Sequence, residues 1–123
     1  MKLTNLSPVL ETNDIKATIE FYTDTLGFTL RGIFEHEGIT TWCDLAKDEV
    51  AFMFSLPNEH MNYGRILLSG SLYINTEDVD ALWNLLQDKC EVVYPLENFE
   101  YGMREFAIKD NNGYVLNFGE SIT

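Results

Sequence analysis

The feature that most constrains the fold is a pair of alternating runs within residues 101–120. They flank the four residues Asp110-Asn111-Asn112-Gly113. Asn and Asp tolerate a left-handed backbone and glycine adopts it freely, so these four residues predict a tight turn between two antiparallel strands. The chain is therefore expected to close with a β-hairpin.

A β-strand, a helix and three further strands are predicted in the first half of the chain. The first strand covers residues 3–11. An amphipathic helix over residues 14–26 follows the capping oxygens of Thr12-Asn13-Asp14 and stops at Gly27. Strands are predicted at residues 28–35, 39–45 and 50–56, so this half follows the order βαβββ.

The second half repeats that order. A strand at residues 71–75 precedes a helix capped by Thr76-Glu77-Asp78, and a short strand at 91–94 precedes the closing hairpin. Aligning Asp14-Ile15 with Asp78-Val79 brings the two helices into register, which indicates an internal repeat. The prediction is an α+β fold with module one at 1–57, a linker at 58–69 and module two at 70–123.

Two segments resemble a known family. They are the closing hairpin, with Tyr101-Gly102-Met103-Arg104-Glu105-Phe106 and Gly113-Tyr114-x-Leu116-x-Phe118-Gly119-Glu120, and the first helix, with Phe21-Tyr22 and Leu26-Gly27-Phe28. Both are similar to the glyoxalase/bleomycin resistance/extradiol dioxygenase (vicinal oxygen chelate) superfamily. The resemblance implies a curved, open, barrel-like mixed sheet with helices outside. It also implies a central cavity and a homodimer.

The resemblance implies four metal-ligand positions, and this chain departs from the family at them. Counting along the strands places three of them at Ser7, Ser71 and Asn117, and the fourth strand, residues 50–56, has no carboxylate. Hydroxyl and amide groups are weak ligands for a catalytic divalent ion. No metal and no cofactor are therefore expected, as in the metal-free bleomycin-resistance-like branch. His36 and His60 fall in a predicted turn and in the linker, where solvent exposure is expected.

Alternation along the predicted strands indicates which side chains would line the implied cavity. Flat aromatic walls with a few polar groups suit a planar or cationic organic ligand, through stacking and cation–π contacts. The alternative is that these aromatic rings only fill the core. The predicted ligand-binding residues are Trp42, Phe52, Phe54, Tyr101, Glu105 and Asn117.

The charge balance limits the partners. A net charge of −12 argues against nucleic acid and against anionic membranes, because both need a basic face. No segment is apolar over the roughly 18 residues that a membrane span needs, and the first residues lack the apolar core of a signal peptide. A cytoplasmic protein is expected, with Cys43 and Cys90 as free thiols.

Three functions remain open at this stage. The first is a metal-free protein that binds a small aromatic or cationic molecule. The second is a metal-dependent lyase or dioxygenase of the same superfamily, and the third is a regulatory or structural dimer without a ligand. An apolar cavity would raise the pKa of Glu105 and let it act as a general acid or base. No nucleophile paired with a histidine supports an enzyme, so the function is expected to be binding.

Overall fold

Each half of the chain forms a four-stranded mixed sheet with a helix on one face. A computed structural model describes residues 1–58 and 68–123. The chain divides into two units, Met1–Leu67 and Leu68–Thr123. The α+β fold of paired βαβββ modules is confirmed. Within the described residues, no helix is long and apolar enough to cross a membrane.

The first unit contains β1 (Val9–Glu11), α1 (Ile15–Glu20), β2 (Thr29–His36), β3 (Ile39–Lys47) and β4 (Val50–Ser55). The strand order is β1-β4-β3-β2, with β1 parallel to β4 and the other pairs antiparallel. The Asp14 carboxylate accepts a 2.9 Å hydrogen bond from the Ala17 amide, which caps α1. After α1 the chain continues as a π-helical turn over Phe21–Thr25, and Gly27 has a φ of +77°.

The second unit contains β5 (Leu72–Asn75), α2 (Val79–Leu86), β6 (Glu91–Phe99), β7 (Met103–Lys109) and β8 (Val115–Ser121). The order is β5-β8-β7-β6, with β5 parallel to β8. The Asp78 carboxylate caps α2 by accepting from the Ala81 amide at 3.1 Å. The Trp83 ring packs on Phe106, with 5.1 Å between ring centroids, so α2 covers the Phe106 face of this sheet.

The predicted closing hairpin is confirmed. The Asp110 carboxylate accepts hydrogen bonds from the amides of Asn112 and Tyr114, at 2.8 and 2.9 Å. Gly113 has a φ of +90°, a backbone conformation that glycine adopts without steric cost. This turn sets the register in which β7 and β8 pair, and thereby the neighbours of Glu105 and Asn117.

Several predicted boundaries differ from the structure. The first strand has three residues, Val9–Glu11, not the nine predicted, and the first α-helix ends at Glu20. Strand β6 extends to Phe99, whereas the prediction stopped at Tyr94 before Pro95. Register shifts on both sides of Tyr94, together with the outermost position of β6 in its sheet, accommodate the proline. Most of the predicted linker, residues 59–67, lies outside the described residues.

Candidate functional site

The face of the second sheet opposite α2 carries a carboxylate among tyrosine hydroxyls. Glu105 lies on β7, one residue before Phe106, so alternation directs it away from the helix. Its side chain is almost fully buried, with 2% of the residue exposed. Tyr73 on β5, Tyr94 on β6 and Tyr101 in the turn after β6 all direct their hydroxyl groups to it.

Three phenols donate hydrogen bonds to the Glu105 carboxylate. Tyr73 and Tyr101 donate to Oε1 at 2.8 and 2.7 Å. Tyr94 donates to Oε2 through a short hydrogen bond. Hydrogen bonds to an ionised acceptor are stronger than those between neutral groups, and here they replace the water that burial removes.

These contacts determine the protonation states. Burial alone raises the pKa of Glu105, but the hydrogen bonds from Tyr94, Tyr101 and Tyr73 outweigh it and lower the pKa below its ordinary value. The expectation of a raised pKa is therefore wrong, because it did not include the phenols. The hydrogen bond to Glu105 in turn raises the pKa of Tyr101 to about 12. Glu105 is thus an anion at neutral pH, and Tyr101 is protonated.

Asn117 on β8 joins this network as a donor. Its Nδ2 lies 2.8 Å from the Tyr94 hydroxyl oxygen. The Tyr94 proton is directed to Glu105, so that oxygen accepts, and the amide must present its nitrogen. Asn117 Oδ1 is then left buried without a hydrogen-bond partner in the described part of the chain. We call Tyr73, Tyr94, Tyr101, Glu105 and Asn117 the tyrosine–carboxylate cluster.

Gly119 allows Tyr73 to reach this cluster. It pairs with Glu105 across the β7–β8 ladder. A Cβ atom at position 119 would lie 2.8 Å from Tyr73 Cζ and would overlap the hydroxyl. The absence of a side chain therefore provides the space in which the Tyr73 phenol crosses the strand to Glu105.

Aromatic rings extend the cluster at one end. Phe99 stacks on Tyr101, with ring centroids 5.4 Å apart and planes 15° from parallel. Tyr94 meets Phe99 edge-on at 5.6 Å. Tyr101 itself is 62% exposed, so the cluster reaches solvent at this residue. The cluster therefore combines a buried anion with aromatic rings, of which Tyr101 is exposed, and such groups suit a cationic or aromatic molecule.

Sequence reasoning identified three members of the cluster and missed two. Tyr101, Glu105 and Asn117 were predicted, and the structure brings them together. Tyr73 and Tyr94 were missed. Tyr73 pairs with Asn117 in the β5–β8 ladder. The alternation of side chains along β5 could therefore have placed Tyr73 on the same face of the sheet as Asn117. Tyr94 was included in a predicted strand that was too short to fix its direction.

The predicted residues of the first unit separate into two groups. Phe54 and Phe52 pack against Tyr22, with ring centroids 5.1 and 5.5 Å apart, so both lie in the core beneath the helix. Their predicted orientation toward a cavity is wrong, because the segment after α1 buries an aromatic ring on that face. Cys43 pairs with Phe54 and shares its face, so alternation places Trp42 on the opposite face, as expected. Contact between Trp42 and a ligand stays a prediction.

The residues present do not fit the divalent metal that the family resemblance implies. Ser7 lies before β1, and exposed Ser71 lies before β5, so Tyr73 and not Ser71 pairs with Asn117. Asn117 presents an amide nitrogen to the cluster, and Glu105 already accepts three hydrogen bonds. Within residues 1–58 and 68–123, no three His, Cys, Asp or Glu side chains lie close enough to hold a metal ion. His36 is exposed, and His60 lies outside the described residues.

Comparison with known proteins agrees with this architecture. The family model described as Glyoxalase/Bleomycin resistance protein/Dioxygenase superfamily matches residues 7–118. No curated protein matches the chain.

Similar solved structures cover nearly the whole chain. TnmS3, an antibiotic binding protein from Streptomyces sp. CB03234, is 23% identical with a TM-score of 0.77, and the match covers 98% of each chain. TioX from Micromonospora sp. ML1 is 18% identical with a TM-score of 0.77, over 96% of this chain and 98% of TioX. A protein of unknown function from Agrobacterium tumefaciens str. C58 is 25% identical with a TM-score of 0.72, over 98% and 96% of the two chains.

Proposed function

This chain belongs to the glyoxalase/bleomycin resistance protein/dioxygenase superfamily, and from that premise we propose that it is a small-molecule binding protein. It holds an aromatic or cationic organic ligand without a metal ion. The tyrosine–carboxylate cluster is the binding site, and the ligand approaches the face of the second sheet opposite α2.

The observation that carries this proposal is the buried, ionised Glu105 among three phenols. Burying a carboxylate is costly unless other groups compensate for the lost water, and here three neutral phenols do so while no basic side chain among the described residues neutralises the charge. The unsatisfied Asn117 Oδ1 adds a further cost of roughly 1–3 kcal/mol. A buried charge without a cationic partner and a buried acceptor without a donor both call for an explanation, and a bound ligand that supplies these partners is one.

The similarity to TnmS3 supports the same conclusion at the level of the whole fold. That protein is described as an antibiotic binding protein, and it matches the present chain from end to end. A fold hosts many functions, so the site residues decide the ligand and the fold does not. An antibiotic is therefore one class of organic molecule to include in a test.

The donor set supports binding without a metal. A lyase or dioxygenase of this superfamily would need anionic or imidazole ligands on several strands. The cluster instead offers one carboxylate, phenols that stay protonated and an amide nitrogen. A homodimer and a cytoplasmic location stay predictions for this protein.

The test combines elemental analysis with a ligand screen on the purified full-length protein. We expect no stoichiometric Zn, Ni, Mn or Fe, together with thermal stabilisation by aromatic or cationic compounds that is reduced in Glu105→Gln. The metal-free proposal would be overturned if the protein contained stoichiometric metal and the compounds bound only when that metal was present. The absence of any stabilisation across a broad panel would overturn binding and favour a structural or regulatory dimer.

A further inference from the structure

The Glu105 carboxylate has no basic partner among the described residues. Its hydrogen bonds come from neutral phenols alone. Arg104, its neighbour in sequence, donates to Asp80 at 2.8 Å and to Asn98 at 3.0 Å. A buried charge is normally paired, so the described structure leaves a negative charge that a bound cation would neutralise.

Asn117 supplies a second acceptor in the same network. It is 8% exposed, and its Oδ1 has no donor within the described residues. Its position is fixed because Nδ2 donates to Tyr94, which in turn donates to Glu105 Oε2. Glu105 Oε2 accepts this one hydrogen bond, whereas Oε1 accepts two. The acceptors that remain are Asn117 Oδ1 and one side of Glu105 Oε2.

From these two acceptors we infer that the ligand is a cation with N–H donors, such as a primary ammonium or an amidinium, on an apolar body. The inference rests on the proposed binding function and narrows its ligand class. The positive charge pairs with Glu105, and an N–H group donates to Asn117 Oδ1. A quaternary ammonium supplies the charge but no donor, so it leaves Oδ1 unsatisfied.

Tyr101 marks the path by which such a cation reaches the acceptors. It is 62% exposed, whereas the acceptors are buried. Tyr101 lies in the turn before β7, next to Gly102, which has a φ of +86°. The ammonium passes Tyr101 to reach the remaining side of Glu105 Oε2, and the rings of Tyr101 and Phe99 border the apolar body of the ligand.

The experiment compares three probes on the full-length protein by NMR titration to millimolar concentration: benzylammonium, benzyltrimethylammonium and benzyl alcohol. We expect benzylammonium to bind more tightly than each of the others by about tenfold. Asn117→Leu should abolish the preference over the quaternary ion. Asn84→Leu is the matched control, because it is the same substitution at an exposed position on α2, outside the cluster, so the preference should remain.

The outcomes separate this inference from the function on which it rests. Equal affinity for benzylammonium and the quaternary ion, or an unchanged preference in Asn117→Leu, would overturn the N–H donor inference and leave binding intact. If none of the three probes binds but the broad panel yields other ligands, the N–H donor inference fails and the binding function stands. If neither yields binding, both fail. Should Asn117→Leu not fold, the Asn117 side-chain amide resonance of the wild type decides, since benzylammonium should shift it and benzyltrimethylammonium should not.

Discussion

Tyr73 donates a 2.8 Å hydrogen bond to Glu105, and the phenol reaches it across the bare backbone of Gly119. Tyr73 lies on β5 and Glu105 on β7, with β8 between them. The contact therefore spans three strands of one sheet and depends on a glycine in the middle strand. It links the packing of the second unit to the charge of its buried carboxylate.

Replacing Gly119 by alanine should disrupt that contact. The new methyl group would occupy the place of the Tyr73 hydroxyl, so the ring must move and the protein should lose about 1–3 kcal/mol of stability. Denaturant unfolding measures this loss. Gly70→Ala is the matched control, because a Cβ atom there would meet nothing within 4 Å. Equal stability of the two variants would contradict the role given to Gly119.

Glu105→Gln should change the titration of the tyrosines. The hydrogen bond to the Glu105 anion is the largest cause that raises the pKa of Tyr101 to about 12. Without the negative charge, the pKa of Tyr101 should fall toward the ordinary value of about 10. Ultraviolet titration of wild type and variant measures the difference. Superimposable curves would show that Tyr101 does not donate to an ionised Glu105.

The lowered pKa of Glu105 also predicts an acid dependence of stability. In the folded protein, the pKa of Glu105 lies below the ordinary value of about 4.3. Ionised Glu105 therefore stabilises the folded protein above that pH. This contribution is lost as the pH falls through the pKa of the folded state. Unfolding of the wild type should therefore be more sensitive to acid than that of Glu105→Gln. Parallel stability curves below about pH 4 would argue against an ionised, stabilised Glu105.

Phe54→Ala and Trp42→Ala should affect different properties: the first should lower the stability of the fold, and the second should lower ligand affinity. Phe54 is fully buried against Tyr22, so its truncation should cost about 3–5 kcal/mol of stability. Trp42 lies on the opposite face of β3–β4, and its truncation should leave the fold intact. If Trp42 contacts the ligand, its truncation should make the binding free energy less favourable by about 1–3 kcal/mol. Unfolding curves and ligand titrations separate the two effects, and unchanged affinity would remove Trp42 from the site.

The sequence predicts the order of elements well, because the signals are local. The two helix caps are examples, since Asp14 and Asp78 accept hydrogen bonds from backbone amides as their residue type favours. The turn from Asp110 to Gly113 is another, with a capping carboxylate and a glycine at positive φ. The predicted strand at 91–94 is shorter than β6, which continues through Pro95 to Phe99. The bulged, outermost position that tolerates the proline depends on how β6 pairs with β7, and that pairing is not a local property.

The site was predicted in part because its contacts connect distant segments. Alternation directs Glu105 and Asn117 correctly once Phe106 and Phe118 are assigned to the helix side. Alternation does not show which partners meet Glu105. Tyr73 is 32 residues away, and its hydroxyl reaches the carboxylate only because Gly119 is small. For the same reason the predicted pKa shift had the wrong sign, since desolvation was counted without the phenols.

The most direct test of the tyrosine–carboxylate cluster as a metal-free binding site is an NMR titration of chelator-treated protein with a ligand from the screen. The side-chain resonances of Glu105 and Asn117 and the ring resonances of the three tyrosines report on the cluster. We predict that they shift together, without added metal, and that Glu105→Gln weakens the interaction. Binding that leaves these resonances unchanged, or that occurs only after a divalent metal is added, would contradict the account.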